Sequence, residues 1–468
     1  MKSKNIIIFF SAVLLLSACK KDFLNKVPYT SIPSETAIVD ESSMQAAVAG
    51  VYRGLNGALF ASHLIIMGDI LADNVYQALP NSNRYTAAFQ LNYNSNSADV
   101  LAMWTQGYVA IGRANNVINS TIASSPVTNN LKGEALTLRA LSYLSLVQYF
   151  AKPYTSDPNG AGIPIVTTFE PQALPARNTT AEVYALIEKD LTEAFALITV
   201  AKNTGFVNKY APKALLARMH LVKGEWQKAK DAALDVITNG GYTLVSAPNF
   251  AAYWKNPAVK TDKVETIFEL NQDAVVNAGN NNSAAYLFDQ AGYGDILSTE
   301  ELYNLYNPAD VRRTLIISGT RNGANVRIVN KYSNASSTDK DNIKVVRVAE
   351  MYLTIAEASY RLNDEATALT YLNSLVENRI PGFTGYSSTG AALLEDIIKE
   401  RRLELAFEGM RYLDLQRLNR DITRTNLNGN YPANVPLVFA FSNHRRVLPI
   451  PLTETDANPN IVQNPNYN

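Results

Sequence analysis

Residues 217–233, ARMHLVKGEWQKAKDAA, and residues 356–372, AEASYRLNDEATALTYL, decide the fold of this chain. The two stretches have equal length and carry matching residues at five equivalent positions. In the first stretch these are Ala217, Leu221, Gly224, Ala229 and Ala233, and in the second they are Ala356, Tyr360, Asn363, Ala368 and Leu372. A helical period that is interrupted by Gly or Asn predicts two helices joined by a turn with a left-handed residue. The alanines would let the paired helices approach closely.

This spacing is the small-residue pattern of a tetratricopeptide hairpin, and it occurs twice. A third unit is predicted from Glu134–Phe150, followed after an inserted Pro- and Gly-containing loop by Thr180–Ile198. Generic amphipathic helices are the alternative interpretation of the same period. We therefore expect a mainly α fold, in which tetratricopeptide-like helix pairs form a single scaffold with long irregular loops and a few short strands.

The helical period also predicts helices near 42–59 and 100–122, with Ser42 as the cap of the first. It fades between residues 241 and 345, where short segments rich in β-branched residues predict strands at 266–270, 312–317 and 326–332. We expect one domain, 41–468. Its parts are a helical scaffold at 41–240 and 346–420, a loop-rich insertion at 241–345 and an irregular tail at 421–468.

Cys19 is the only cysteine, and it follows a short apolar run that begins after Lys2 and Lys4. A positive start, an apolar middle and small residues before the cysteine are typical of a secretory signal peptide. The sequence Leu16–Cys19 resembles the lipobox of bacterial lipoproteins, which implies lipidation of the Cys19 sulfur. We expect a signal peptide at 1–18, a lipidated tether at 19–40 and anchoring of the protein to a membrane.

Composition limits the function classes. The 468 residues are 47% hydrophobic and 18% charged, and 42 basic residues balance 42 acidic ones. This balance provides no basic surface for nucleic acid, so we expect no nucleic-acid partner. One cysteine cannot form an internal disulfide bond, and stability must come from packing.

The order of sequence motifs along the mature chain resembles the SusD/RagB family of lipidated outer-membrane nutrient-binding proteins. The residues that carry the resemblance are Cys19, Asp22, Phe23, Leu24, Trp104, Tyr108, Ile111, Ala114, Asn115, Glu134, Ala135, Leu138, Arg139, Ala140, Tyr143, Phe150, Tyr210, Ala211, Ala214, Leu215, Ala217, Arg218, Leu221, Asp310, Arg312, Arg347, Ala349, Glu350, Tyr352, Leu353, Ala356, Glu357, Ala358, Ile398, Glu400, Arg401, Glu404, Leu405, Glu408, Gly409, Arg411, Asp414, Leu415, Leu448, Pro449, Ile450, Pro451, Glu454, Asn458, Pro459, Gln463, Asn464, Pro465 and Tyr467. Each segment alone is a weak signal, but their order spans the whole mature chain.

The resemblance implies a receptor at the outer membrane of a Gram-negative bacterium, anchored by lipid and facing the exterior. Such a receptor would capture an oligosaccharide and deliver it to a SusC-like TonB-dependent transporter. Two alternatives remain open at this stage: a RagB-like receptor for peptides, and a tetratricopeptide-type adaptor that binds a protein partner.

A surface hydrolase is a third alternative, which the sequence disfavours. Glu400, Glu404 and Glu408 could be taken for a catalytic pair, but Arg401 and Arg411 lie at helical spacings among them, which predicts ion pairs within one helix. The three histidines lack metal-ligand spacing, and no nucleophile elbow, phosphate loop or dinucleotide fingerprint occurs. We expect no enzyme activity, no metal and no cofactor.

Two polar, aromatic-rich loops are the candidate ligand site. Sugars bind by stacking on aromatic rings and by hydrogen bonds to planar side chains, and loops 73–96 and 280–293 supply both. In starch-binding members of the resembled family the ligand site is built from these two regions. The resemblance therefore implies the regions of the site in this chain, but not its individual residues. The predicted ligand-binding residues are Asp73, Asn74, Tyr76, Arg84, Phe288 and Tyr293. Among the tryptophans, Trp104 and Trp226 are predicted to be core, and Trp254 is predicted to be free for stacking.

Overall fold

A computed structural model describes residues 37–56, 62–202, 205–255, 264–272, 277, 279–335, 341–425 and 432–467. The predicted signal peptide, Cys19 and most of the tether lie outside these residues. Within them the structure is mainly helical. The helices are α1 Glu41–Asn56, α2 Leu64–Ile70, α3 Thr86–Phe89, α4 Ala98–Ile118, α5 Pro126–Phe150, α6 Thr180–Leu197, α7 Tyr210–Lys223, α8 Trp226–Asn239, α9 Phe250–Lys255, α10 Ala284–Phe288, α11 Glu300–Leu305, α12 Val348–Arg361, α13 Glu365–Glu377, α14 Gly390–Glu404, α15 Arg411–Arg417 and α16 Leu452–Ala457.

The strands are short and antiparallel. They are β1 Val75–Gln77, β2 Thr266–Leu270, β3 Ile296–Ser298, β4 Ile316–Arg321, β5 Ala324–Val329, β6 Ile343–Arg347, β7 Ile422–Thr423 and β8 Val438–Phe439. One sheet has the order β1-β3-β5-β4, while β2 pairs with β6 and β7 with β8. Most of this β structure lies in the predicted loop-rich insertion, between the α7–α8 and α12–α13 helix pairs.

The two repeated stretches form the predicted helix hairpins. The first hairpin is α7–α8, and Gly224 takes the left-handed conformation between its helices with φ 75°. The second is α12–α13, where Asn363 takes the same conformation with φ 61°. Leu221, Ala229 and Ala358 are fully buried against one another, so the small side chains bring the first hairpin close to the second. The mainly α, tetratricopeptide-like prediction is confirmed.

The third predicted pair is α5–α6, with residues 151–179 inserted between its helices. Helix α5 begins earlier than predicted, at Pro126, because Ser125 and Thr128 form a capping box there. The C-terminal tail lies across the end of α5: the Leu448 amide donates to the Tyr149 carbonyl oxygen over 2.8 Å. Helix α5 also packs against α6, α4 and α1, so most of its residues are buried and this part of the scaffold presents little open helical face.

Local side-chain chemistry explains the elements whose bounds differ from prediction. Asp40, not Ser42, caps α1, since its carboxylate accepts the Ser43 amide over 2.8 Å. The segment predicted as a strand at 312–317 begins as a 3-10 turn at Val311–Leu315, because the Asp310 carboxylate accepts the Arg312 amide. Residues 322 and 323 form the turn that starts β5 at Ala324, two residues earlier than predicted.

Acidic and basic side chains form a buried ion cluster where α14 meets the insertion. Glu404 is at its centre, with Oε1 2.9 Å from Arg347 Nη1 and Oε2 3.0 Å from Arg379 Nε. Arg312 Nη2 lies 2.7 Å from Glu400 Oε2. The members of the buried ion cluster are Glu265, Asp310, Arg312, Arg347, Arg379, Glu400 and Glu404, all of which are buried.

The glutamates are ion-paired, as predicted, but the prediction that their partners lie in the same helix is wrong. Helix α14 ends at Glu404, and its glutamates pair with arginines from distant segments. Burial alone would raise the pKa of Glu404, but Arg379, Arg347 and Arg312 hold that pKa well below its usual range. A general acid needs the opposite shift, so Glu404 cannot serve as the acid of a glycosidase.

Glu134, on α5, gives the stability of the scaffold a dependence on pH. Its carboxylate accepts the Tyr52 hydroxyl over 2.6 Å, and burial raises its pKa from 4.5 to about 7. A raised carboxyl pKa means that the folded chain keeps a proton that the unfolded chain releases. The contribution of Glu134 to stability therefore falls as the pH rises from 4.5 to 7.

We predict that Glu134→Gln will be more stable than the wild type at pH 8, by about 1–2 kcal/mol, with little difference at pH 4.5. Glutamine keeps an oxygen for the Tyr52 hydroxyl but cannot ionise. Thermal unfolding of both proteins at the two pH values measures the effect. Glu193→Gln is the matched control, because Glu193 lies at the surface beside Lys132 and should not change the pH profile. A Glu134→Gln advantage that does not depend on pH would refute the assignment.

Candidate ligand-binding site

Antiparallel pairing of β1 with β3 brings the two predicted loops to one place. Gln77, at the end of β1, lies opposite Ile296, at the start of β3. The loop that follows β1 and the loop that precedes β3 therefore emerge from the same end of the sheet. We call residues 78–85 loop A and residues 289–295 loop B.

Each loop is held by hydrogen bonds of its own. The Gln77 side-chain amide donates to the Arg84 carbonyl oxygen over 2.7 Å, which closes loop A. In loop B the Tyr293 amide donates to the Tyr286 carbonyl oxygen over 2.7 Å. This bond sets the two tyrosine rings side by side, with centroids 4.9 Å apart and planes nearly perpendicular.

Arg84 and Tyr293 join the loops through their side chains. Arg84 Nη2 donates to the Tyr293 hydroxyl over 2.9 Å, and its Cζ lies 4.5 Å from the centre of the Tyr293 ring. Both residues are half-buried, as is Tyr286. We call these three residues the aromatic cluster. It presents rings and a guanidinium group together at the surface, which is the chemistry used to bind a sugar.

Arg321 fixes the two loops relative to each other because it donates hydrogen bonds to both. Its Nη1 donates to the Tyr293 carbonyl oxygen over 3.1 Å, and its Nη2 donates to the Pro80 carbonyl oxygen over 2.5 Å. Ser82 of loop A in turn donates to the Asp295 carboxylate of loop B. The loops thus have a defined spacing, so a ligand would meet a preformed surface.

Asp73 and Asn74 are placed away from this surface. Asp73 forms a two-point pair with Arg411, with both N–O distances at 2.7 Å. The Asn74 oxygen accepts Arg402 Nε over 2.9 Å, and the Asn74 amide donates to Asp69 over 3.0 Å. Both are buried, and their hydrogen-bonding groups hold α14 and α15 against α2. The prediction that they contact a ligand is not supported by their placement, and we assign them to the framework.

Tyr76 and Phe288 are also core residues in the structure. Tyr76 lies in β1 opposite Leu297 with 4% of its surface exposed. Phe288 is fully buried and stacks on Tyr332 with a centroid distance of 6.0 Å. A ligand at the surface would not reach either ring. Of the six predicted residues, the structure brings only Arg84 and Tyr293 together at the surface.

Trp254 was predicted to be free for stacking, and this is wrong. It lies in α9 with 3% of its surface exposed, and the Lys331 ammonium lies 4.1 Å from its ring centre. Trp104 is buried as predicted, while Trp226 is half-buried.

Two charged residues that act on the loops were not predicted from the sequence: Arg321 binds both loops, and Asp99 interacts electrostatically with Arg84. Arg321 precedes the dipeptide Asn322–Gly323, which is a strong hairpin signal, and both residues have positive φ in the structure. The signal could therefore have placed Arg321 on a β-hairpin. Asp99, in the first turn of α4, is half-buried, and burial raises its pKa to about 6 against the opposing charge of Arg84. Nothing in the sequence indicates this proximity.

One group of side chains has the composition of a metal site within the described residues: Glu188, His220 and Glu225. Lys223 Nζ, however, lies 3.0 Å from Glu188 and 2.8 Å from Glu225. Lys228 also contacts both carboxylates. We interpret the group as a salt-bridge network between α6 and the first hairpin.

Comparison with known proteins places the chain in a family. Residues 318–467 match the family model described as "SusD family", and residues 22–221 match the one described as "Starch-binding associating with outer membrane". A candidate sugar-binding protein of Bacteroides vulgatus, whose structure is solved, is 30% identical with a TM-score of 0.84, and the alignment covers 92% of this chain and 100% of that one. The chain belongs to the SusD family.

Two further relatives extend this result. A SusD superfamily protein of Bacteroides thetaiotaomicron is 29% identical with a TM-score of 0.82, over 91% of this chain and 100% of that one. SusD-like protein P2 of Formosa agariphila is 26% identical over 97% of this chain and 98% of its own length. In the described part of this SusD-family chain, no helix is both long and apolar enough to cross a membrane.

Proposed function

We propose that this SusD-family protein is a cell-surface lipoprotein that captures an oligosaccharide at loops A and B and delivers it to a SusC-like TonB-dependent transporter. The observation that carries the proposal is the direct contact of Arg84 with Tyr293, which joins the two loops into one aromatic and cationic surface. The matched family description, "Starch-binding associating with outer membrane", supports both the ligand class and the location.

The chemistry of the site favours a glycan over a peptide. Strand-adding peptide sites offer an open sheet edge or a deep apolar pocket. Here β1 lies at the edge of its sheet, but all three of its residues are buried. The aromatic cluster offers half-buried tyrosines and hydrogen-bonding groups, which suit the C–H faces and hydroxyls of a sugar. A RagB-like peptide receptor is the alternative that the test below distinguishes.

An adaptor of the tetratricopeptide type is disfavoured by the covering of the scaffold. Adaptors bind partners on exposed helical faces, whereas the C-terminal tail packs on α5. Asn464 donates its side-chain amide to the Phe150 carbonyl oxygen over 3.0 Å, and Arg177 donates to the same oxygen over 3.1 Å. These bonds fasten the tail and the 151–179 insertion over the end of the helix.

A glycan and peptide array tests the ligand class. The probe is the mature chain made without its lipid, applied to neutral glycans, acidic glycans and peptides. We expect binding to a restricted set of glycans. Selective binding to peptides with no glycan binding would replace the proposal with the peptide receptor. Release of shortened products from any bound glycan would show that the protein is a hydrolase.

Cys19→Ala tests the anchor. We predict that this variant will fold normally but leave the membrane fraction, because the acyl chains on the Cys19 sulfur and amino group provide the membrane affinity. Fractionation of cells and thermal unfolding of the two proteins measure the two effects. Ser17→Ala is the matched control, because the position before Ala18 tolerates small residues, and it should stay with the membrane. Retention of Cys19→Ala in the membrane fraction would show that the anchor lies elsewhere.

Co-purification tests delivery. In mild detergent, we expect a large outer-membrane β-barrel to purify with the wild-type lipoprotein. Because the anchor raises the local concentration of the two proteins, Cys19→Ala should recover much less of the barrel. Recovery of no barrel with the wild type would contradict the delivery step while leaving capture to the array.

A further inference from the structure

A cavity far along the chain from loops A and B has the chemistry of a second binding site. Its volume is about 610 Å³, which lies within the usual range of small-molecule sites, about 300–1,000 Å³. Residues of the segment 152–161 form one wall, and residues 441–444, 446–447 and 464–466 of the C-terminal part form another, with Gln416 of α15 between them. Neither loop A nor loop B contributes to it.

Arg446 lines this cavity and is 2% exposed. Its Nη1 donates to the Arg420 carbonyl oxygen over 3.0 Å, whereas Nε and Nη2 are buried and make no hydrogen bond of ordinary geometry in the described structure. Tyr412 is the side chain that acts most strongly on the guanidinium group. Nε and Nη2 form one edge of the guanidinium group. That edge is the fork that binds the two oxygens of a carboxylate, or of a similar oxyanion, side by side.

Several other buried arginines differ from Arg446 in that carboxylates bind them. Arg347 and Arg379 in the buried ion cluster, and Arg417 in α15, each bind carboxylates directly. Among the described residues, Arg446 has no carboxylate within 4.0 Å. The Asp421 carboxylate interacts with its charge electrostatically, from a greater distance. Burial lowers the pKa of Arg446, while Tyr412, Tyr93 and Asp421 oppose this. A buried guanidinium group without a paired carboxylate is costly to retain, and a bound anion would offset that cost.

Gln416, which also lines the cavity, supplies a second unpartnered group. Its amide nitrogen donates to the Arg446 carbonyl oxygen, which fixes the side chain, but its oxygen Oε1 is buried without a partner in the described structure. A free acceptor and a free cationic fork on residues that line the same cavity match a ligand that carries both a hydroxyl and an oxyanion. The charged groups that line the cavity are Arg446, Lys152 and Asp157, and the last two lie 3.7 Å apart from nitrogen to oxygen. The lining thus keeps a net positive charge.

We propose that this cavity binds a small hydroxylated oxyanion, of the size and chemistry of a sugar acid, with the anion on the Nε–Nη2 edge of Arg446 and a hydroxyl on Gln416 Oε1. Both groups are sealed from solvent, so the ligand reaches them after a side-chain movement. The Phe441 side chain is the one placed to move, because it lines the cavity and is half-buried. Its ring centre lies 5.7 Å from Arg446 Cζ. The site is separate from the oligosaccharide site of the proposed function.

Calorimetric titration with glucuronate, glucose 6-sulfate and glucose tests the proposal. We expect saturable binding of an oxyanion with Kd of about 1 mM or tighter, and none of glucose. Glucuronate against glucose 6-sulfate distinguishes a carboxylate from a sulfate ligand, and binding of either supports the site. Failure of both charged sugars to bind would overturn it.

Variants locate the binding. Arg446→Lys keeps the charge but loses the fork, and should weaken binding by at least about tenfold. Arg445→Lys is the matched control: Arg445 is the neighbour in sequence but donates to the Leu91 carbonyl oxygen and does not line the cavity, so binding should not change. If Arg446→Lys does not fold, Ser442→Trp decides, because Ser442 is an exposed residue of the wall whose enlargement fills the cavity.

The Tyr293→Ala variant tests whether this site is separate from loops A and B. Tyr293→Ala should retain oxyanion binding in full, since Tyr293 lies in loop B. Oxyanion binding that is unchanged in both Arg446→Lys and Ser442→Trp would overturn the proposal. Loss of oxyanion binding in Tyr293→Ala would do the same, because it would place the anion at the loops.

Discussion

Replacing Glu404 with glutamine should lower the free energy of unfolding by about 3–5 kcal/mol, the usual cost of breaking a buried ion pair. Glu404 is 1% exposed and is bound by three arginines, the most distant being Arg312 at 3.3 Å from nitrogen to oxygen. Glutamine has nearly the same shape, but it removes the negative charge and turns an N–H₂ group toward guanidinium donors. The arginines would then remain buried with too little negative charge around them.

Chemical denaturation with urea measures this loss, and a surface pair provides its control. Glu395 pairs with Arg420, but 61% of the Glu395 side chain is exposed, so Glu395→Gln should change stability by less than about 0.5 kcal/mol. The depressed pKa of Glu404 adds a second signature: its contribution to stability is present above pH 4.5 and is lost as the pH falls below it. The loss caused by Glu404→Gln should therefore shrink in acid. An effect as small as that of Glu395→Gln would mean that the buried ion cluster does not stabilise the fold.

Replacing Tyr293 with alanine should weaken the binding of the captured oligosaccharide by at least about tenfold while leaving the fold intact. The substitution removes a ring from the surface and also removes the hydroxyl and ring face that hold Arg84. It leaves Tyr286 without its aromatic neighbour. The ligand would lose affinity whichever of the three side chains it touches, because each depends on Tyr293 for its position.

Titration of the glycan selected on the array against both proteins measures this effect. Tyr293→Phe keeps the ring and should retain affinity within about threefold, since stacking supplies most of the contact. Tyr371→Ala is the control for loss of a half-buried tyrosine, because Tyr371 packs against Tyr352 in the second hairpin, away from the loops. Equal affinity of Tyr293→Ala and the wild type would show that the ligand binds elsewhere.

The helix pairs could be predicted from sequence because their signals are local. Ala229 and Ala368 sit at fixed distances from the turn residues Gly224 and Asn363, and one helical hairpin contains the whole pattern. The ion partners of Glu404 could not be predicted in the same way. Arg312 lies 92 residues away along the chain and Arg347 lies 57 residues away, so only the folded chain shows that they meet.

The meeting of the two loops was predictable from the sequence by region, and the surface residues of the candidate site were less so. Aromatic and polar residues indicated loops 73–96 and 280–293, and β1 and β3 bring parts of both loops together in the structure. Composition could not separate Tyr293, at the surface, from Phe288, five residues earlier and fully buried. Burial there depends on Tyr332 and Phe407, which pack on Phe288 from other segments. The sequence held a usable signal for Arg321 in the Asn322–Gly323 turn.

A crystal structure of the protein with the oligosaccharide selected on the array tests the central claim most directly. We expect the sugar to lie against Tyr286, Tyr293 and Arg84, between loops A and B. A sugar bound on an exposed face of the helix pairs, or solely in the cavity beside Arg446, with no contact to either loop, would contradict it.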